Sequence, residues 1–156
     1  MPSNDAFDEG YDDLADAESR KPTGSDSPSS GPRILLAEDE PDHQLILSHM
    51  LREVGADVIT VENGQSAVDR ALQAQGEGNP FDLILMDIRL PVMNGYLATR
   101  QLREAGYRLP IVAVTANAMM GDREKFIEVG GDDYLTKPLT ASALVDLVKR
   151  WAKHSH

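Results

Sequence analysis

The stretch Asp82-Leu-Ile-Leu-Met-Asp87 is a short apolar run that ends on an acid. Three more apolar runs end in the same way on polar residues: Arg33-Ile-Leu-Leu-Ala37 leads into Glu38-Asp39, Ile111-Val-Ala-Val114 into Thr115, and Tyr134-Leu-Thr136 into Lys137-Pro138. From Arg33 onward, such runs alternate with segments of helical period, which indicates successive βα units and a parallel sheet. Because parallel strands point the same way, we expect the residues at their C-terminal ends to meet at one edge of the sheet.

The positions of five strands and five helices follow from this alternation. We predict strands near residues 33–37, 57–61, 82–86, 110–114 and 133–135. Three of the helices are predicted near 64–75, 95–104 and 119–129. Gly121 weakens the start of the helix predicted at 119–129, and Gly130-Gly131 ends it.

The first and last helices carry apolar residues at the spacing i, i+3, i+4, i+7. These residues are Leu47, Met50, Leu51 and Val54 in the first helix, and Leu144, Leu147, Val148 and Trp151 in the last. Gly55 ends the first helix, and Thr140 is the expected N-cap of the last. His43 and His49, in or near the first helix, are expected to be surface or half-buried residues.

Composition limits the class of protein. The 156 residues suffice for one domain and a tail, and the lack of cysteine excludes disulfides and thiolate metal sites. A cytoplasmic location is the default expectation. No apolar run approaches the roughly 20 residues of a membrane span, so we expect no membrane contact by this chain. The net charge is −11 and no basic groove or helix is evident, which argues against direct binding of nucleic acid.

The N-terminal residues 1–31 differ in composition from the rest. They hold eight acids against Arg20 and Lys21, a net charge of −6, and the rest of the chain carries −5. The segment 21–32 is rich in Ser, Gly and Pro, as flexible linkers are. We predict a disordered acidic tail or linker over 1–31, since an isolated helix over 6–19 is marginal in water.

The polar residues at the strand ends suit a single reaction. Three clustered carboxylates, from Glu38, Asp39 and Asp87, repel one another unless a cation intervenes, and an all-oxygen shell favours a hard divalent ion such as Mg²⁺. Lys137 and Thr115 add a positive charge and a hydroxyl donor for phosphoryl oxygens. Taken singly, each of these residues would be a turn residue, a cap or a surface charge.

The ordered set of motifs resembles the receiver domain of two-component response regulators. The motifs are Glu38-Asp39, Leu85-Met-Asp-Ile-Arg-Leu-Pro-Val-Met-Asn-Gly95, Thr115-Ala116 and Lys137-Pro138, and the resemblance covers residues 33–153. Glu38-Asp-Glu-Pro-Asp-His-Gln44, Asn117-Ala-Met-Met-Gly-Asp122 and Gly131-Asp-Asp-Tyr-Leu-Thr-Lys-Pro138 are similar to receivers attached to hybrid histidine kinases. The implied domain is 32–156, with a flavodoxin-like, doubly wound five-stranded (βα)5 sheet of order 2-1-3-4-5.

The resemblance implies a role for each site residue. Asp87 would be the phosphoacceptor in a phosphorelay, receiving its phosphoryl group from a histidine kinase or a histidine phosphotransfer protein. The implied metal ligands for Mg²⁺, with Mn²⁺ possible, are Glu38, Asp39, Asp87 and the backbone carbonyl of Arg89. The implied phosphoryl-binding residues are Thr115, Ala116 and Lys137, with a cis peptide bond after Lys137.

The same resemblance implies a switch and a control of lifetime. Thr115 and Tyr134 would form the switch, and an ordinary strand aromatic is the other interpretation of Tyr134. Phosphorylation would then change the surface of the fourth helix, fifth strand and fifth helix, through which self-association is also possible. Arg89 and Asn117 would line the path of the hydrolytic water and modulate dephosphorylation, although Arg89 is equally compatible with a solvated surface charge.

Two other functions share parts of this pattern. A phosphatase of the haloacid dehalogenase type also uses a strand-end Asp, a Thr, a Lys and Mg²⁺, but it requires a second Asp where this chain has Arg89. A non-phosphorylatable interaction module would lack part of the set of site residues. The chain could act as a stand-alone regulator or as the C-terminal receiver of a hybrid kinase, and no turnover is expected of the domain itself beyond its own phosphorylation and dephosphorylation.

Overall fold

The computed structural model describes residues 31–116 and 118–152, in which five strands alternate with five helices. The elements are β1 (Arg33–Ala37), α1 (Pro41–Glu53), β2 (Asp57–Val61), α2 (Gly64–Gly76), β3 (Leu83–Met86), α3 (Gly95–Glu104), β4 (Ile111–Thr115), α4 (Asp122–Glu128), β5 (Asp133–Thr136) and α5 (Ala141–Trp151).

All strand pairs are parallel, and the strand order is β2-β1-β3-β4-β5. The three central strands β1, β3 and β4 consist of buried residues apart from the first residue of β1. Burial on both faces explains their continuous apolar sequences, because helices cover the two sides of such a sheet. The predicted flavodoxin-like fold and its strand order are confirmed.

Two apolar cores lie on opposite faces of the sheet, because successive strand residues point to opposite sides. On one face, strand residues such as Leu35 and Ile84 pack with α2, α3 and Phe126 of α4. On the other face, Ile34 and Leu83 pack with residues of α1 and α5. The helices therefore cover both faces of the sheet, and loops form its C-terminal edge.

The helix ends mostly follow the local sequence signals. Thr140 caps α5 through its side-chain oxygen, which accepts from the amide of Ala143 at 3.0 Å, as predicted. Gly55, expected to end α1, has a φ of 94°, a left-handed conformation that glycine adopts without strain. The predicted bounds of the strands and of α2 differ from the observed bounds by a residue at most.

The start of α4 is the one clear error in the predicted elements. A helix was predicted from residue 119, whereas α4 begins at Asp122. Gly121 has a φ of 88°, and the amide of Met119 donates to the side chain of Asp122 at 2.7 Å instead of entering a helix. A left-handed residue and a competing side-chain acceptor thus delay the helix by three residues.

Several predictions lie outside the described residues. These are the disorder of the tail up to residue 30, the marginal helix over 6–19 and the position of Asn117. Within 31–116 and 118–152, no helix has the length and apolar character needed to cross a bilayer.

Candidate functional site

Backbone hydrogen bonds fix the strand ends that carry the predicted site residues. The amide of Asp87 donates to the carbonyl of Ala37 at 3.0 Å, which places the residues after β1 and β3 side by side. The amide of Lys137 donates to the carbonyl of Thr115 at 2.8 Å, which does the same for β4 and β5. The parallel sheet therefore brings the predicted residues to one edge, as expected.

Glu38, Asp39 and Asp87 form a carboxylate cluster at this edge. One oxygen from each of the three lies within 4.8 Å of the others. Asp39 is exposed, while Asp87 is buried and Glu38 is only 2% exposed. Backbone amides orient the two buried carboxylates, since Glu40 donates to Glu38 Oε2 at 3.0 Å and Arg89 donates to Asp87 Oδ1 at 2.9 Å.

An all-oxygen donor set of this kind fits a hard divalent cation such as Mg²⁺. The exposed carboxylate of Asp39 leaves the cluster open on one side, so that a cation bound there can retain water ligands, as Mg²⁺ generally does. The backbone carbonyl of Arg89, expected as a further ligand, belongs to the segment that follows Asp87, and its role stays a prediction.

Lys137 supplies the positive charge that faces the carboxylates. Its Nζ lies 3.2 Å from Asp87 Oδ2 and donates a hydrogen bond to Glu38 Oε1. Burial raises the pKa of Glu38 above its ordinary value, and the hydrogen bonds from Lys137 and from the Glu40 amide oppose that rise. The peptide bond between Lys137 and Pro138 is cis, as the resemblance implied.

His43, expected from the sequence to be a surface or half-buried residue, is a member of the site. It lies in the first turn of α1, and its Nδ1 is 3.0 Å from Lys137 Nζ and 3.8 Å from Glu38 Oε2. The imidazole is partly exposed, in agreement with the expected half-burial. His43 lies in the first turn of the helix that begins just after the acidic pair, and this placement is a signal by which the contact could have been found.

Thr115 ends β4 with a buried hydroxyl group that has no hydrogen-bond partner among the described residues. Burying a hydroxyl without a partner costs about 1–3 kcal/mol. Thr115 lines a cleft of about 370 Å³ together with Arg89, Asp122 and Tyr134. The exposed residue Ala116 follows Thr115, and the phosphoryl-binding roles assigned to both remain predictions.

Tyr134 lies on β5 with its side chain turned inward. It is 8% exposed, and its ring centroid is 6.3 Å from that of Phe126. Its hydroxyl donates to Asp122 Oδ2 at 3.2 Å, and burial together with this carboxylate raises the pKa of Tyr134 to about 12. Tyr134 is thus already packed under α4, and its role in a switch stays a prediction.

The chain belongs to the family described as response regulator receiver domain, whose model matches residues 34–149. It is 38% identical over 128 residues to the sensor histidine kinase GacS of Pseudomonas protegens, an alignment that covers 79% of this chain and 13% of GacS. It is 41% identical over 114 residues to the two-component response regulator ORR41 of rice, covering 72% of this chain and 87% of that protein.

A solved structure extends the comparison to the site. The receiver domain of the sensor histidine kinase PA1611 from Pseudomonas aeruginosa PAO1 is 46% identical, with a TM-score of 0.69, and covers 79% of this chain and 98% of that one. That crystal structure contains a magnesium ion coordinated in the active-site cleft. The chain is therefore a receiver domain of two-component systems, and the haloacid dehalogenase alternative is set aside.

Proposed function

We propose that Asp87 is the phosphoacceptor of this receiver domain. Receiver domains interact with histidine kinases or histidine phosphotransfer proteins, and a phosphohistidine of such a protein would be the donor here. The observation that carries the proposal is the position of the Asp87 carboxylate, which shares a cluster with Glu38 and Asp39 and lies 3.2 Å from Lys137 Nζ.

The proposed step is attack of an Asp87 carboxylate oxygen on the phosphorus of the phosphohistidine. The P–O bond forms as the P–N bond breaks, the electron pair stays on the imidazole nitrogen, and the product is an acyl phosphate. A carboxylate is a weak nucleophile, so the rate depends on positioning and on charge neutralisation around the phosphoryl oxygens. The Arg89 amide orients the Asp87 carboxylate, and the Lys137 ammonium offsets its charge.

The proposed cation ligands are Glu38, Asp39, Asp87 and the backbone carbonyl of Arg89. Mg²⁺ bound there, or Mn²⁺ in its place, would offset the negative charge of the carboxylates and the phosphoryl oxygens. Lys137 would hold phosphoryl oxygens from the opposite side. The magnesium ion in the related PA1611 receiver supports this assignment.

A donor protein would approach along the groove beside Lys137. This groove, of about 450 Å³, is lined by His43, Ile46, Leu47, Ala116, Lys137, Pro138 and Leu139. Ile46 is exposed on α1, next to the exposed Leu45, so the site opens beside an apolar surface. A histidine-bearing protein that delivers a phosphoryl group to Asp87 must cover this rim, and its apolar contacts would exclude water from the reaction.

Phosphorylation would change the partner surface of α4, β5 and α5. The Thr115 hydroxyl, which lacks a partner among the described residues, would gain phosphoryl oxygens as acceptors, with the Ala116 amide beside it. Tyr134 lines the same cleft, and the loop that leads from Thr115 to α4 would transmit that change to the helix. Self-association through this surface, which carries the exposed Ile127, is part of the proposal.

The phosphoacceptor is tested by incubating the full chain with phosphoramidate and Mg²⁺ and following intact mass. The wild type should gain one phosphoryl group and Asp87→Asn none. Asp57→Asn is the matched control, because Asp57 is an exposed acid at the start of β2, away from the site edge. Phosphorylation of Asp87→Asn at the wild-type rate would refute the assignment.

The cation site is tested by calorimetric titration with Mg²⁺. Asp39→Ala should abolish saturable binding and leave the fold intact, since Asp39 is an exposed member of a repulsive cluster. Glu40→Ala makes the same change of charge one residue away, outside the three-carboxylate cluster, and should bind normally. Equal Mg²⁺ affinity in the two variants would contradict the ligand assignment.

A further inference from the structure

The carboxylate of Asp122 joins three separate segments of the chain. Its Oδ1 accepts from the hydroxyl of Tyr96, on α3, at 3.1 Å. Its Oδ2 accepts from the hydroxyl of Tyr134, on β5, at 3.2 Å and from the amide of Met119, in the β4–α4 loop, at 2.7 Å. No motif in the sequence pointed to this arrangement.

The local backbone holds Asp122 in place. It is the first residue of α4 and follows Gly121, whose left-handed φ turns the loop into the helix. The hydrogen bond from the Met119 amide and those from the two tyrosine hydroxyls keep the pKa of Asp122 below its ordinary value, against a smaller opposing effect of desolvation. Asp122 is therefore an ionised acceptor at neutral pH, and hydrogen bonds to an ionised acceptor are stronger than neutral ones.

The ring of Tyr134 packs into an aromatic row under α4. Phe126 lies between Tyr134 and Tyr96, with ring centroids 6.3 Å and 6.4 Å away, and Lys125 Nζ lies 4.4 Å from the centroid of the Tyr96 ring. Packing of this kind favours the inward ring, and the part-buried hydroxyl that this ring carries needs an acceptor to stay there. Asp122 provides that acceptor, so loss of its carboxylate would favour rotation of Tyr134 toward water.

We propose that Asp122 is a positioning residue that holds Tyr134 inward before any phosphoryl group reaches Asp87. The link to Asp87 rests on the proposed function, whereas the hold on Tyr134 does not. A side chain that is held inward before phosphorylation cannot be shifted further inward by it. The signal from Asp87 then acts on Thr115 and on the loop to Met119, whose amide the same carboxylate binds.

The test uses the full chain with ¹³Cζ-labelled tyrosine, which gives one NMR resonance for each of its four tyrosines. Tyr→Phe variants assign the resonances. In the wild type, the Tyr134 resonance should stay in place when beryllofluoride and Mg²⁺ are added to mimic the acyl phosphate. In Asp122→Ala, the resonance should move toward that of an exposed tyrosine, and its pKa should fall from about 12 toward the ordinary value of 10.0.

Glu124→Ala is the matched control, because it removes an exposed acid of α4 two residues further on. It should leave Tyr134 unchanged. If Asp122→Ala does not fold, Asp122→Asn serves in its place, since asparagine keeps the shape and one acceptor oxygen, and it should displace Tyr134 partially.

Two results would overturn the proposal. One is a folded Asp122 variant in which the Tyr134 resonance and its pKa match the wild type. The other is a wild-type Tyr134 resonance that moves on addition of beryllofluoride, which would mean that its inward position depends on the phosphoryl group. Failure of the proposed function can be told apart from failure of this proposal. It would appear in the phosphoramidate assay, and it would not affect the comparison of the unphosphorylated wild type with the unphosphorylated Asp122 variants.

Discussion

Replacing Arg103 with methionine should destabilise the domain more than any exposed substitution on α3. Arg103 lies in the last turn of α3, and its guanidinium joins the α3–β4 loop to the α4–β5 loop. It donates to Tyr107 O at 2.7 Å, Leu109 O at 2.9 Å, Gly130 O at 2.9 Å and Asp132 Oδ2 at 2.9 Å. Asp132 Oδ2 also accepts from the amide of Ile111, so the same network fixes the start of β4.

The expected cost follows from the burial of this network. The Arg103 side chain is 15% exposed and that of Asp132 is 32% exposed, so the ion pair is largely, but not fully, removed from water. Removing one partner of a buried ion pair costs about 3–5 kcal/mol. Methionine fills much of the volume, and Asp132 keeps the Ile111 amide and part of its contact with water, which places the expected loss at the lower end of this range, about 3 kcal/mol. For a domain of this size, that loss lowers the Tm by roughly 10 °C.

The measurement is urea unfolding of the wild type, Arg103→Met and Arg100→Met, followed by circular dichroism. Arg100 lies one turn earlier on α3, is 64% exposed and pairs with Glu104 at 3.4 Å. Such an exposed pair contributes at most about 0.5 kcal/mol. A loss for Arg103→Met within about 1 kcal/mol of that for Arg100→Met, at an unchanged m value, would refute the reasoning.

Three further substitutions test the site and the core. Lys137→Met removes the ammonium that faces Glu38 and Asp87. Mg²⁺ should then bind roughly tenfold more tightly by calorimetry, because a nearby unit charge contributes on the order of 1–4 kcal/mol. Phosphorylation by phosphoramidate should slow about a hundredfold. Burial raises the pKa of Tyr107 from 10.0 to about 12, so the stability that this neutral phenol contributes is complete below pH 10 and is lost as the pH rises toward 12. Tyr107→Phe should therefore lose up to about 3 kcal/mol less stability than the wild type over that window in urea unfolding, and equal losses would contradict the linkage. Arg89→Ala should speed loss of the phosphoryl group several-fold. The Mg²⁺ affinity should be unchanged, because the proposed ligand at this position is a backbone carbonyl. If the phosphorylated variant has the half-life of the phosphorylated wild type, the Arg89 side chain does not cover the water path.

The sequence predicted the sheet and most of the site because both depend on local signals. Apolar runs specify the strands, and the polar residue after each run must lie at the sheet edge once the strands are parallel. Glu38, Asp39, Asp87 and Lys137 could be brought together by that rule alone. Their proposed roles came from the family resemblance, since geometry by itself does not choose which carboxylate reacts.

Contacts between distant side chains could not be predicted in this way. Asp122 and Tyr96 are separated by 26 residues, and Arg103 and Asp132 by 29. Neither pair belongs to a periodic pattern, because such contacts depend on how α3, α4 and β5 pack. The start of α4 was mispredicted for a different, local reason, since the side chain of Asp122 competes for the backbone of its own loop.

The sequence and packing of α4 make it the helix most easily displaced. It has seven residues, and Phe126 is its one fully buried side chain, whereas the longer α5 buries Leu144 and Leu147. Burial of one phenylalanine contributes about 2–3 kcal/mol, so polar contacts such as those of Asp122 supply a large share of the attachment of α4. A phosphoryl group creates one to three charge-assisted hydrogen bonds, which is about the same amount of free energy. A helix held this weakly can therefore respond to the proposed phosphorylation of Asp87, while a helix anchored by a wider apolar face stays in place.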